Sequence, residues 1–444
     1  MHEVVYCVMS RLCALVEPVS VGTNLGLVQV FWMLVTGQLL LTRGAVVPAL
    51  SASGLAAPAV RRAWASLVHG AWTSAALLAA WERQVRREGL WEPRQHAGYQ
   101  ALVADITGFW RPRLRQCPTT HYRADAGKAL PAIPLGLIGR VGAVGAQRLA
   151  VLQALVRADP RDPRPSTHNR QVVEHAVALQ AAGDVLVLDA GFGVRLVQAV
   201  GATAWLVRER KNFTARRATP PPYAGRGRPP TRGALVRPLA RQHRGRTLAA
   251  TPPDATSTWE EGGQVLRAER WQALVLPAAP ADQPPFDVWA IHDPRYPHPW
   301  LLVTPLVLPA RAVRALYHDR WPIEQVPLAA KQMLGAARQF VHAPEACQRL
   351  PEVSLLAGMI VSYVAATLPA VPTGFWDRQP RPTPGRLRRA LTFWPFPQAF
   401  PFPARLREKR SCTAHLPKGW WGQRTRRTEP AAATSPATSA GAAA

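Results

Sequence analysis

The feature that most constrains the fold is a short apolar run that ends in a carboxylate and a glycine-containing turn. Residues 185–188 are Val, Leu, Val and Leu, Asp189 follows them, and residues 190–193 contain two glycines. This order predicts a buried strand that leads into a turn and then a helix. Residues 99–104 form a second strand-like run before Asp105. Strand and helix signals alternate around both runs, which predicts an α/β sheet with carboxylates at strand ends.

Four side chains in the C-terminal third, Tyr317, Arg320, Glu324 and Lys331, have the most specific spacing. Steps of three, four and seven residues return to one face of a helix, so one carboxylate would lie among two cations and a phenol. Such a group suits a phosphate and the metal ions that bind it. The lysine is informative because the chain has 54 basic residues but only five lysines. A solvated, charged helix face is the competing interpretation.

The segment around this motif resembles the YREK signature of bacterial insertion-sequence transposases with a DDE catalytic core. The matching residues are Arg320-Trp321-Pro322-Ile323-Glu324, Lys331-Gln332 and Leu334-Gly335. Further similarity to these enzymes lies at residues 121–122, 127–131 and 147–149, and the resemblance extends over residues 95–365. It implies a ribonuclease-H-like fold whose catalytic carboxylates are Asp105, Asp189 and Glu324.

The same resemblance implies a metal-dependent reaction on DNA. Three carboxylates from separate elements would bind two Mg²⁺ ions, with Mn²⁺ as a substitute, because Mg²⁺ prefers octahedral oxygen ligands. Water would attack in strand cleavage and a freed 3′-hydroxyl in strand transfer. Arg320 and Lys331 would hold backbone phosphates, and Tyr317 would donate a hydrogen bond to one. The expected function is cut-and-paste transposition by a transposase that acts on terminal inverted repeats and target DNA, as a homodimer on the DNA ends.

The charge of the chain favours a polyanionic partner. Its formal net charge is +27 and its pI is about 11.4, which makes nucleic acid the default partner. Residues 208–246 contain twelve Lys or Arg and a single acid, and Lys211, Arg226 and Arg228 are the DNA-binding candidates within them. The Gly-Arg-Gly-Arg-Pro-Pro sequence at residues 225–230 resembles an AT-hook core that enters a narrow minor groove. Phosphate binding by a flexible basic loop is the alternative.

The chain is expected to divide into five segments. These are a helical N-terminal, DNA-binding region (1–92), the first part of the ribonuclease-H-like core (93–207), a basic and β-rich insertion (208–306), the second part of the core (307–370), and a Pro/Arg-rich C-terminal region with a disordered tail (371–444). The insertion is inferred because 134 residues separate Asp189 from Glu324, far more than a compact crossover needs. Its tryptophans are expected to pack in the core, with stacking on an unpaired base as the alternative.

The remaining N-terminal signals concern DNA reading and location. Residues 46–50 and 59–64, separated by a short turn, fit a helix-turn-helix that carries Arg61 and Arg62; plain packing of two helices is the alternative. Five scattered cysteines without a CxxC pair favour a reducing compartment. The uncharged residues 18–42 are expected to be a buried helix rather than a membrane span. A cytoplasmic, nucleoid-associated bacterial protein is therefore expected.

One residue departs from the pattern of this family. Pro327 lies between Glu324 and Lys331, where a proline removes a backbone hydrogen bond and should kink the helix at a cost of about 3 kcal/mol. Two other functional classes therefore stay open. A non-catalytic DNA-binding protein from a decayed element would not need all three carboxylates, and a general ribonuclease-H-like nuclease would not need the basic insertion.

Overall fold

The computed structural model describes residues 2–407 except 20–23, 116, 224, 226–229, 279, 281–282 and 373. In this part of the chain the protein is α/β, with one large mixed sheet and helices packed against it. The N-terminal region is helical, as the sequence predicts. Its helices are α1 (His2–Val16), α2 (Asn24–Val35), α3 (Gln38–Leu41), α4 (Val46–Ala52), α5 (Ala57–His69) and α6 (Ser74–Glu88).

These N-terminal helices share one hydrophobic core with the central sheet. Helix α2 is apolar around its circumference and nearly all of its residues are buried, as expected for a helix enclosed by others. Helix α6 begins where the Thr73 hydroxyl accepts a hydrogen bond from Ala76 N–H and ends at Gly89, whose φ is 65°. Helices α4 and α5 occupy the expected helix-turn-helix segment, with Arg61 and Arg62 exposed on α5. Their role in DNA reading stays a prediction.

The central part of the sheet follows. Its strands are β1 (Glu92–Pro93), β2 (Gln95–His96), β3 (Tyr99–Trp110), β4 (Thr120–Arg123), β5 (Lys128–Val144), β6 (Gln147–Arg157), β7 (Asp184–Leu188) and β8 (Trp205–Glu209). Helix α7 (Pro165–Leu179) joins β6 to β7, and α8 (Gly193–Ala199) joins β7 to β8. The five main strands lie in the order β6-β5-β3-β7-β8. Strand β5 is antiparallel to both its neighbours, whereas β3, β7 and β8 are parallel.

The prediction that the first strand ends at Asp105 is wrong. Strand β3 continues to Trp110 because its far half keeps pairing with β5, up to the pair Trp110↔Ala132. On its other side, the pairing of β3 with the shorter β7 stops at Val103↔Val187. Asp105 therefore lies inside β3 but beyond the end of its pairing with β7.

Most strands of the predicted insertion extend the same sheet, and two of them, residues 241–243 and 246–248, form a separate two-stranded sheet. Its strands are β9 (Ala215–Arg217), β10 (Leu235–Val236), β11 (Arg241–His243), β12 (Arg246–Leu248), β13 (Ala255–Glu261), β14 (Gln264–Val275), β15 (Phe286–His292) and β16 (Trp300–Thr304). Strand β16 pairs antiparallel with β8, and β15, β14, β9 and β10 follow outward. The predicted antiparallel β-strands are thus present. Trp259, Trp271, Trp289 and Trp300 are at most 7% exposed, so they pack in the core as expected.

The chain then returns to the centre of the sheet through helices. These are α9 (Ala310–His318), α10 (Trp321–Leu328), a π-helix (Ala329–Met333), α11 (Pro344–Thr367), α12 (Pro384–Leu391) and α13 (Ala404–Arg407). Among the described residues, α11 alone is long and apolar enough to cross a membrane, but 83% of its apolar window is buried inside the protein. It is packed as the core helix of a soluble protein would be.

Candidate active site

Asp105 and Asp189 lie at equivalent positions on neighbouring parallel strands. The β3–β7 register pairs Gln100 with Asp184 and Val103 with Val187. Two residues further along the chain, Asp105 lies inside β3 and Asp189 lies directly after β7, and the two would be partners if the ladder continued. Adjacent strands lie about 4.8 Å apart, and partners in a ladder project from the same face. Both carboxylates accordingly line one pocket.

Glu324 lies in the first turn of α10 and is connected to Asp189 through Arg320, the residue before the helix. Arg320 Nη2 donates a hydrogen bond to Glu324 Oε1 at 2.5 Å and lies 3.8 Å from Asp189 Oδ2. The two carboxylate oxygens are therefore separated by no more than the sum of these distances. The guanidinium is only 4% exposed, whereas the side chains of Asp189 and Glu324 are 38% and 44% exposed. A buried cation thus holds two open carboxylates together.

Tyr317 and Arg208 complete the charge pairing around Asp189. The Tyr317 hydroxyl donates to Asp189 Oδ1 at 3.2 Å, and the tyrosine is 1% exposed. Arg208, in β8, places Nη1 3.4 Å from the Tyr317 hydroxyl and 3.9 Å from Asp189 Oδ1. Burial, followed by the charge of Asp189, raises the pKa of Tyr317, so the phenol keeps its proton and acts as a donor. The sequence signalled Arg208 only as the first cation of a basic segment.

Asp105 occupies the most enclosed position of the three carboxylates. Its Oδ1 accepts a hydrogen bond from Ile106 N–H at 2.8 Å. Burial raises its pKa to about 6; Arg320 and the Ile106 N–H oppose the rise, and the charges of Glu324 and Asp189 add to it. The three carboxylates therefore interact electrostatically as one group, and bringing them together costs free energy that a bound cation would recover.

Lys331 approaches the same strand from the π-helix. Its Nζ donates to Thr107 Oγ1 at 2.6 Å, and Thr107 lies two residues beyond Asp105 on the same face of β3. The ammonium also lies 5.0 Å and 4.9 Å from the ring centres of Phe109 and Trp110, as in cation–π contacts. Burial lowers the pKa of Lys331 to about 8, although the charge of Asp105 opposes this.

The π-helix accounts for the position of Lys331 after Pro327. The proline lies inside α10 and is buried, and the chain widens two residues later, with Leu334 N–H donating to Ala329 O at 3.0 Å. This five-residue hydrogen bond absorbs the disruption that a proline causes in an α-helix. Lys331 then contacts β3, and no hydrogen bond or ion pair joins it to Glu324 in the described residues. Lys331 thus lies against β3 rather than beside Glu324.

The three carboxylates are ligands of the kind that a hard divalent cation prefers. Asp105, Asp189 and Glu324 provide carboxylate oxygens from two strands and a helix, which is the chemistry Mg²⁺ requires. Within the described part of the chain, however, no group of three or more His, Cys, Asp or Glu is arranged closely enough to hold a metal. The Arg320 guanidinium occupies the position between Glu324 and Asp189. A metal would have to displace it from at least one carboxylate.

The other predicted DNA contacts have different surroundings. Lys211 is exposed just after β8, whereas Arg226 and Arg228 lie outside the described residues. Tyr317 and Arg320 are buried against the carboxylates, so neither presents an open surface to a phosphate. Asp319, a competing acid in the motif, is bound by Arg94, Arg148 and His96 instead. It connects the start of the sheet to the end of α9 and belongs to the scaffold.

Comparison with protein-family models and with curated proteins gave no match to this chain. The resemblance to transposases therefore rests on the residues themselves and on the geometry above.

Proposed function

We propose that this chain is a DDE transposase, which cleaves DNA strands at the ends of its element and joins them to target DNA. The observation that carries the proposal is the juxtaposition of Asp105 and Asp189 on adjacent parallel strands, with Glu324 joined to Asp189 through Arg320. The three residues span 219 positions of the sequence, and a chance set of surface acids would not bring them together. The electrostatic repulsion among three neighbouring carboxylates costs free energy, which also favours a functional rather than a structural role.

The strand order supports a ribonuclease-H-like core for this enzyme. The order β6-β5-β3-β7-β8, with only β5 antiparallel to its neighbours, is the topology that the resemblance implies. The insertion then extends the edge formed by β8. Such a core presents carboxylates on one face of its central strands, where Asp105 and Asp189 lie.

The residues of the site have separable roles in this proposal. Two Mg²⁺ ions bound by the carboxylates would activate the attacking oxygen and stabilise the leaving one. Tyr317 donates a hydrogen bond to Asp189 Oδ1 and Arg208 approaches the same oxygen, so both residues orient that carboxylate. Arg320 neutralises Asp189 and Glu324 before DNA arrives and is placed to contact a phosphate afterwards. Lys331, fixed by Thr107, supplies a second cation beside Asp105.

The proposed partners follow from the charge and the reaction. Double-stranded DNA is the substrate, as terminal inverted repeats and as target, and a homodimer on paired ends would allow both ends to be cut together. The +27 charge supports a polyanionic partner. A cytoplasmic, nucleoid-associated location is part of the same proposal.

A cleavage assay with isosteric variants tests the proposal. A supercoiled plasmid carrying the DNA that flanks the gene on both sides would be incubated with protein and Mg²⁺ or Mn²⁺. Wild type should release the element, while Asp105→Asn, Asp189→Asn and Glu324→Gln should each lose at least about 10³-fold in rate, since the metal ligands act as a unit. Glu174→Gln, on the exposed face of α7, is the matched control and should cleave normally.

Two results would overturn the proposal. DNA binding without metal-dependent cleavage by wild type would favour a non-catalytic DNA-binding protein. Cleavage at random sites, with no excised element or strand-transfer product, would favour a general nuclease.

A further inference from the structure

A groove adjoins the candidate active site on the side from which Lys331 enters. Its walls are the end of β3 with the segment that follows, and the loop after the π-helix; Trp110, Lys331 and Phe340 are among its lining residues. The cavity has a volume of about 710 Å³, within the usual range for ligand pockets. Arginine is the most frequent lining residue, and among the described residues no acidic side chain lines the groove. Its chemistry is therefore that of an anion site with aromatic surface.

The backbone around Phe340 is held by hydrogen bonds although the phenyl ring is open to solvent. The residue is 53% exposed, but its backbone N–H donates to Gly44 O at 3.0 Å. The buried Arg111 guanidinium donates to Val341 O and to Gln339 Oε1 on either side of it. An exposed phenyl ring gains little from core packing. The hydrogen-bonded backbone around it has already lost conformational entropy that ligand binding would otherwise have to remove.

Two arginines beside this ring have no acidic partner in the described residues. Arg113 and Arg338 both line the groove and are exposed, and neither forms one of the ion pairs found in the described part of the chain. Arg123, another lining residue, is bound instead to Asp125. Unpaired cations on both walls of an acid-free groove favour binding of a ligand with more than one negative charge.

We propose that this groove binds a single-stranded segment of DNA, with an unpaired base stacked on Phe340 and backbone phosphates on Arg113 and Arg338. The proposal rests on the proposed function and specifies the form of DNA that lies beside the site. Lys331 lines the groove and contacts the strand that carries Asp105, so a strand in the groove passes directly to the carboxylates. Stacking requires an unpaired base, whereas duplex DNA would engage only the cations.

Metal-free binding measurements separate these two forms of DNA. Full-length protein in EDTA would be titrated into a fluorescein-labelled 20-nucleotide oligodeoxythymidine, and into a duplex of the same length. Phe340→Ala should weaken binding of the single strand about 5- to 150-fold, the range for loss of one base–aromatic stack, and change duplex binding by less than about 2-fold. Phe340→Trp should restore single-strand binding. Phe393→Ala, which removes another exposed ring, is the matched control.

Two further readouts report on the base and the phosphates. A 2-aminopurine in the oligonucleotide should be quenched by wild type and not by Phe340→Ala. Arg113→Gln and Arg338→Gln should each reduce the slope of log affinity against log salt by about 0.7. Equal losses on single strand and duplex after Phe340→Ala, or no loss on either, would overturn the proposal.

These experiments distinguish failure of the groove proposal from failure of the proposed function. Asp105→Asn removes a negative charge close to Lys331, so it should bind the oligonucleotide at least as tightly as wild type and yet fail to cleave. If wild type excises the element and Phe340→Ala binds single strands normally, only the groove proposal fails. If Phe340 stacks on the oligonucleotide but wild type shows no metal-dependent cleavage, the groove proposal stands and the transposase proposal fails.

Discussion

Replacing Asp105 with Asn should make the protein more stable at neutral pH, although it removes a proposed catalytic group. Asp105 is enclosed beside two other carboxylates, and burial raises its pKa from the ordinary value of 3.8 to about 6. Asparagine has the same shape and can still accept the hydrogen bond from Ile106 N–H. The substitution therefore removes the charge with little change in packing.

The size and sign of the effect follow from proton linkage. Below pH 4 the carboxyl holds its proton in the folded and unfolded states alike. Between pH 4 and 6 the unfolded chain releases the proton while the folded protein retains it, so stability falls as pH rises, and the loss is complete above pH 6. One pKa unit corresponds to about 1.4 kcal/mol, which gives a gain of about 3 kcal/mol for Asp105→Asn at pH 7 and none below pH 4.

Urea unfolding of wild type and variant across pH 4 to 8 measures this difference. Asp319→Asn is the contrasting control, because its carboxyl is also enclosed but its pKa is lowered. Burial alone would raise that pKa, and the hydrogen bond from His96 and the charge of Arg94 outweigh the effect of burial. That variant should lose stability at pH 7 and lose less as the pH falls. Mg²⁺ should stabilise wild type but not Asp105→Asn. A uniform destabilisation of Asp105→Asn at every pH would refute the electrostatic reasoning.

Three further predictions concern neighbouring features. Pro327→Phe should destabilise the protein by about 1–3 kcal/mol, because Pro327 is buried and a larger side chain overpacks the core; stabilisation in urea unfolding would contradict this. Tyr317→Phe should slow end cleavage about 10-fold through loss of one donor to Asp189, measured against unchanged DNA affinity. Changing Arg226 and Arg228 together to Gln should lower the salt slope of duplex binding by about 1.8 if both contact phosphates; an unchanged slope would show that they do not.

The central strands were predictable because their apolar runs are short and bounded by turns. The predicted run of residues 185–188 lies within β7 (Asp184–Leu188), and Asp189 follows the strand directly, as the sequence predicts. The position of Asp105 within β3 was not predictable in the same way, since the strand continues only because β5 is long enough to pair with it. Strand length here is a tertiary property, whereas the placement of both aspartates on one face follows from the register.

The electrostatic surroundings of the carboxylates could be predicted only in part. The motif spacing brings Arg320 and Glu324 to one face of a helix, and the structure joins them directly. Arg208 is more than one hundred residues distant from Tyr317, and its contact depends on β8 lying beside β7. No local pattern encodes such a contact. Similarly, the acid-free groove arises from two segments that meet only in the folded chain.

The π-helix after Pro327 shows why a local rule about proline was insufficient. Proline removes one hydrogen bond when it stands beyond the first turn of a helix, but the cost depends on what the neighbouring turn and its packing partners can accommodate. Gly358 in α11 is the partner here: a Cβ at this position would lie 2.9 Å from Ala330 N and 3.0 Å from Val326 O. The glycine lets α11 approach the widened turn closely and hold it in place. A proline in α10 and a glycine in α11 thus act as a pair, and together they fix the direction in which Lys331 extends towards β3.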